Sequence, residues 1–177
     1  ELALISLKKS RGHSRGIRQN VKGILYRSVF VIIVSLFIHS HEPNEYKVVM
    51  DELVLQSTAR NIYENQSVLT PGGMTFEVDD FRLSREGYPN KRPYLYPVSV
   101  ALLHHLTGYR IQNSFILNGL LTPVLLGLLF AVIRKFIRND LICGLGVILF
   151  ISFPVSAQIV CSSGAELLNA CLLLTTV

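Results

Sequence analysis

Charge is what this sequence has least of. Only 16% of its 177 residues are Asp, Glu, Lys or Arg, against 50% hydrophobic, and the mean hydropathy is +0.41. The few charges gather in three blocks, which is the pattern of a membrane protein and not of a soluble domain this size. Tryptophan is absent, and cysteine is scarce. Cys143, Cys161 and Cys171 lie in or beside apolar stretches, with no Cys or His at metal-ligand spacing. Their odd number does not suggest a disulfide framework, so they read as small apolar residues of membrane helices. A small-residue cleavage site is missing as well. His41-Glu42-Pro43 follows the first apolar run, which makes that run a retained span and not a signal peptide. Most of the net charge of +5 lies before that span, so positive-inside topology explains it better than nucleic-acid binding. No internal repeat or low-complexity segment is present.

What the chain does have is apolar length. Residues 1–22 carry Lys8, Lys9, Arg11, Arg15, Arg18 and Lys22 against the single acid Glu1. A first span follows over about 24–40, just long enough to cross a bilayer, with Arg27 able to snorkel to the headgroups. A second span is expected over 113–133 and a third over 141–160, joined by the basic connector Arg134-Lys135-Phe136-Ile137-Arg138. With a cytoplasmic N-terminus, this connector is cytoplasmic too, as the charge rule requires. Pro123 and Pro154 should kink their helices. Residues 165–177 begin a fourth span. The chain starts at Glu1 and stops inside that apolar run, so the reading expects a piece of a longer protein, inactive by itself.

Between the first two spans lies a polar loop, 41–112, far longer than a connection needs. Residues 50–66 read as a surface helix, with Met50, Leu53, Val54, Thr58, Ile62 and Tyr63 at helical spacing. Residues 68–90, with Pro71-Gly72-Gly73 and Gly87, read as irregular loop with one short strand. Residues 94–107 read as a helix lying in the interface, Pro97 in its first turn and Gly108 at its end. The expected fold class is therefore an all-α integral membrane protein: transmembrane helices plus amphipathic interfacial helices in a long first outer loop.

The loop carries the candidate chemistry at its two ends. Asp51 and Glu52 open the first surface helix, where the macrodipole alone favours acids. Held there, Asp51 stays ionised and can take a proton from an acceptor hydroxyl. Asn90-Lys91-Arg92-Pro93-Tyr94-Leu95-Tyr96-Pro97 stands at the other end. Lys91 and Arg92 flank the interfacial helix, as basic residues among headgroups commonly do, and the same cations suit a lipid phosphate. Pro93 and Pro97, with Tyr94 and Tyr96, should hold that run stiff. Glu166 stands at the start of the fourth apolar stretch, where solvation accounts for it. His104-His105 reads as a solvated or headgroup-facing pair, since adjacent helical residues point about 100° apart. Asp79-Asp80 lacks a third metal ligand, and Asn65-Gln66-Ser67 is a glycosylation sequon only if this face is lumenal.

Taken in order, these parts resemble the N-terminal portion of the membrane-embedded GT-C glycosyltransferases, the protein O-mannosyltransferase and lipid A aminoarabinose transferase group in particular. The resemblance rests on Asp51-Glu52, the helix that follows as Leu53-Val54-Leu55-Gln56-Ser57-Thr58-Ala59-Arg60-Asn61-Ile62, and Lys91-Arg92-Pro93-Tyr94-Leu95-Tyr96-Pro97 through Gly108. Arg92 stands where the family's run usually has a first proline. The resemblance covers roughly 20–177 and implies transfer of a sugar from a polyprenyl-phosphate donor to a protein, lipid or glycan acceptor hydroxyl, with inversion. It implies Asp51 as base, with Glu52, Lys91, Arg92, Tyr94 and Glu166 binding substrate. No metal site is identified, no cofactor is required by the residues, and a divalent metal is left open. Membrane lipids are expected partners and nucleic acid is not. The implied location is a bacterial or archaeal cell membrane, with the endoplasmic reticulum second. The alternative is a non-enzymatic multi-span protein, a transporter or assembly subunit, whose outer loop binds a partner.

Overall fold

Long apolar runs with few breakers favour helix, and the computed structural model is almost entirely helical. It describes residues 2–47, 49–71, 76–78, 81–83 and 87–177, with side chains described over 22–47, 51–71 and 87–177. Its elements are α1 (Leu2–His41), α2 (Val49–Asn65), β1 (Phe76–Val78), β2 (Phe81–Leu83), α3 (Leu95–Thr107), α4 (Asn113–Phe136), α5 (Asp140–Ser152), α6 (Pro154–Cys161) and α7 (Glu166–Thr175). Among the described residues, two helical stretches are long and apolar enough to cross a membrane, Lys22–His41 within α1 and the whole of α4. Only 22% and 28% of their hydrophobic windows are buried, so most of their apolar surface faces outward. Exposed Ile32, Leu36 and Leu120 belong to that outward surface, and Leu145 and Leu149 of α5 are exposed as well. Water would charge heavily for it, and a hydrocarbon surrounding would not.

α4 is the axis of the bundle, touching α1, α3, α5, α6 and α7. Leu126, Phe130, Cys143 and Val147 pack with Val31 on one side of it; Leu125 packs with Ile38, Val160, Leu167 and Cys171 on the other. All three cysteines are buried and free. The polar contacts show how the helix ends align. Near the start of the apolar part of α1, Arg27 donates to Asp140 Oδ2 from Nε at 3.0 Å and from Nη2 at 2.9 Å, and Arg134 Nε lies 3.2 Å from Asp140 Oδ1. At its far end, His39 Nε2 lies 3.1 Å from Thr122 Oγ1, and Cys161 Sγ lies 3.6 Å from His39 Nδ1. α1 and α4 are thus antiparallel, with the basic connector at one end and the long loop at the other.

Several expectations need correcting. The third apolar stretch is not one helix: α5 and α6 meet at 80°. Pro154 has no backbone N–H to continue α5, and it occupies the first turn of α6, where that donor is not needed. Asn139 caps α5 by accepting from the Leu141 N–H at 3.0 Å. The 68–90 stretch holds not one strand but a short antiparallel pair, registered Phe76 to Leu83 and Val78 to Phe81. Thr70 and Tyr88 close a further bridge below it. In α2 the inward residues are Glu52, Leu55, Thr58 and Ala59, while Leu53 is exposed. Packing against α3 selected a face rotated from the one the apolar count suggests. His104 is buried and not headgroup-facing, because α3 turns it onto Asn113, whose Nδ2 lies 2.8 Å from its Nδ1.

Candidate functional site

α2 and α3 lie against each other at the loop end of the bundle, and this contact joins the two ends of the long loop. The Arg92 guanidinium forms an ion pair with the Asp51 carboxylate through Nη2, and its Nη1 donates to the Asp51 carbonyl at 3.0 Å. The two residues are 41 positions apart. Both side chains remain partly open to solvent, so the pair contributes geometry more than stability, about 0–1 kcal/mol. The loop around Arg92 is braced. Asn90 Oδ1 accepts the Arg92 N–H at 3.1 Å, and the Tyr94 hydroxyl donates to the Asn90 carbonyl at 3.2 Å. Lys91, beside Arg92 in the chain, is exposed and has no ion-pair partner among the described residues.

Adjacent helical residues point about 100° apart, so Asp51 and Glu52 cannot share one environment. Asp51 faces out. Glu52 faces in, only 3% exposed, and its Oε2 accepts the Lys47 N–H at 3.1 Å and the Ser163 hydroxyl at 3.3 Å. Glu52 therefore reaches the segment between α6 and α7.

That segment, Ser162-Ser163-Gly164, is buried and non-helical, which leaves its carbonyls without helical partners. Side chains supply the donors. Asn118 Nδ2 donates to the Ser162 carbonyl at 2.7 Å and to the Gly164 carbonyl at 3.1 Å, and the Tyr96 hydroxyl donates to the Ser163 carbonyl at 2.8 Å. Three consecutive carbonyls are thus bound by one residue of α4 and one of α3. Tyr96 is 1% exposed, and its phenol is pushed well above the ordinary range, by burial first and by the charges of Glu52 and Glu166 second. It stays protonated and stays a donor. Glu166, in the first turn of α7, folds its carboxylate back over Gly164, so a Cβ at Gly164 would meet Glu166 Oε2.

Comparison with protein-family models, with curated proteins and with solved structures finds no significant match. The site is therefore read from its own chemistry. It holds two kinds of carboxylate. Asp51 is open and guanidinium-paired; Glu52 is enclosed in the fold, with Glu166 close enough to act on the same phenol. Of the residues singled out in the sequence, Asp51 and Arg92 meet directly. Glu52 and Glu166 meet around Tyr96 and Ser163-Gly164, Tyr94 braces Asn90, and Lys91 touches none of them. Among the described residues, no three His, Cys, Asp or Glu side chains converge as a metal site. Asp79-Asp80 lies outside the described residues.

Sequence reasoning missed Asn118 and the Ser162-Ser163-Gly164 segment as parts of this region. A signal was present. An Asn in an otherwise apolar helix needs partners, and a Ser-Ser-Gly run between two apolar stretches leaves carbonyls that can supply them.

Proposed function

We propose that this chain belongs to an integral-membrane glycosyltransferase that moves a sugar from a polyprenyl-phosphate donor to an acceptor hydroxyl at the outer or lumenal face. The observation that carries the reading is the Asp51–Arg92 pair, which joins a solvent-reachable carboxylate to a cationic loop at one end of an apolar bundle. In this reading α1, α4 and the bent α5–α6 pair span the bilayer, and α2 and α3 lie at its surface. The acceptor oxygen attacks the anomeric carbon as the carbon–oxygen bond to phosphate breaks. The acceptor proton passes to Asp51, and the phosphate leaves with its charge offset by Lys91 and Arg92. Displacement from the opposite side inverts configuration. Arg92 has a double role: it positions the Asp51 carboxylate before the donor arrives and turns to the phosphate as charge develops there. Glu52 sits too deep to meet substrate and acts by anchoring the Ser163 segment under Glu166.

Asp51→Asn in the full-length enzyme tests this directly. Transfer should be abolished while membrane insertion and stability change little, since an ion pair this exposed is worth no more than about 1 kcal/mol. Lys91→Ala should weaken use of the donor most. A loop that merely binds a partner predicts instead that both variants keep full turnover or that no transfer exists to lose.

A further inference from the structure

At the end of the bundle opposite the site, α1 and α4 line a groove of about 600 Å³, within the size range of small-ligand pockets. Its walls are apolar, with Ile32, Val124 and Phe130 facing it. Its floor is open at Gly127, where a Cβ would meet no atom within 4 Å. Its mouth is cationic: Arg27, Arg134 and Lys135 all line it. The local sequence accounts for that charge, since Arg134 and Lys135 occupy the last turn of α4, where cations are favoured, and Asp140 occupies the first turn of α5. Asp140 is one carboxylate shared by two guanidiniums, at 2.9 Å from Arg27 Nη2 and 3.2 Å from Arg134 Nε. The guanidinium pair thus keeps a positive charge in excess. Lys135 Nζ donates to the Val177 backbone oxygen at 2.7 Å and has two further protons to give.

We propose that this groove binds one anionic phospholipid of the cytoplasmic leaflet. An acyl chain lies along the apolar walls past Gly127, and the headgroup phosphate is held by Arg134 and Lys135, with Arg27 behind them. Charge complementarity selects the occupant: an apolar trough alone would accept any lipid, and the excess cations favour one with net negative charge. The inference rests on the membrane reading above, but not on the glycosyltransferase chemistry.

The absence of tryptophan allows a clean test, because Ala131→Trp places the only tryptophan of this chain, excited apart from its tyrosines, on the exposed edge of the groove. The chain is reconstituted in phosphatidylcholine vesicles containing brominated phosphatidylglycerol or brominated phosphatidylcholine, and quenching is measured for each. The brominated anionic lipid should be preferred by about fivefold or more, the factor expected for each cation near an anionic headgroup. Adding Arg134→Gln and Lys135→Gln should bring the preference close to one, whereas Arg138→Gln, outside the groove, should retain it. Leu36→Trp, on the outward face of α1, should be quenched equally by both lipids. Equal quenching at position 131, equal loss in Arg138→Gln, or no quenching at 131 while position 36 is quenched would overturn the groove proposal and leave the membrane reading standing. No quenching at position 36 would remove the membrane reading itself.

Discussion

Tyr96→Phe removes one oxygen atom and keeps the ring, so it isolates the hydrogen bond that ties α3 to the segment before α7. In the folded chain the Tyr96 hydroxyl donates to the Ser163 carbonyl at 2.8 Å, with the Ser114 carbonyl further off at 3.4 Å. Ser163 is fully buried, so water cannot replace the lost donor. A buried carbonyl left without its partner costs about 1–3 kcal/mol. For a chain of this length that lowers Tm by roughly 2–12 °C. The three buried free cysteines provide the assay, because a thiol-reactive fluorophore reports their exposure on heating in detergent. Asn118→Ala is the companion measurement. Asn118 serves two carbonyls, those of Ser162 and Gly164, so its loss should lower Tm further than Tyr96→Phe does. A Tyr96→Phe protein melting within about 1 °C of the parent would refute the claim that these side chains hold the segment. An Asn118→Ala variant milder than Tyr96→Phe would refute the carbonyl accounting.

Gly164→Ala should behave differently from Tyr96→Phe. The added Cβ meets the end of a flexible side chain, Glu166 Oε2, so Glu166 swings out and Tm stays near the parental value. A drop as large as that of Tyr96→Phe would mean the carboxylate cannot yield. His104 should make stability sensitive to acid. Burial holds its pKa below the ordinary 6.5, so the unfolded chain binds a proton more readily than the folded one. Its contribution is complete above pH 6.5 and is lost as pH falls through the lower folded value. The acid-side slope of Tm against pH should therefore flatten in His104→Gln, and an unchanged slope would count against the assignment. Asp51→Asn, finally, should melt like the parent while losing transfer.

Most helices were legible because each is a local matter of apolar length and breakers. The expected 50–66, 94–107 and 113–133 helices correspond to α2, α3 and α4, whose described limits are Val49–Asn65, Leu95–Thr107 and Asn113–Phe136. Gly108, at φ 81°, closes α3 where its missing side chain suggested. Pro154 announced a kink but not an 80° turn, because the angle depends on what α6 packs against. The hairpin escaped notice because two three-residue strands carry too little alternation to stand out from a loop.

The candidate site divides along the same line. By itself, the sequence determined that an acidic pair begins one surface helix, that a basic run precedes another, and that apolar helices flank both. Those are properties of neighbouring residues. Tertiary structure alone decided that Arg92 reaches Asp51, and that Glu52 turns inward to Ser163 beside Tyr96. It also decided that Asn118 binds the carbonyls on either side of that Ser163. The physical reason is rotation about an axis: two adjacent carboxylates on a helix look alike in sequence, and only the packing of α2 against α3 selects which one faces the interior.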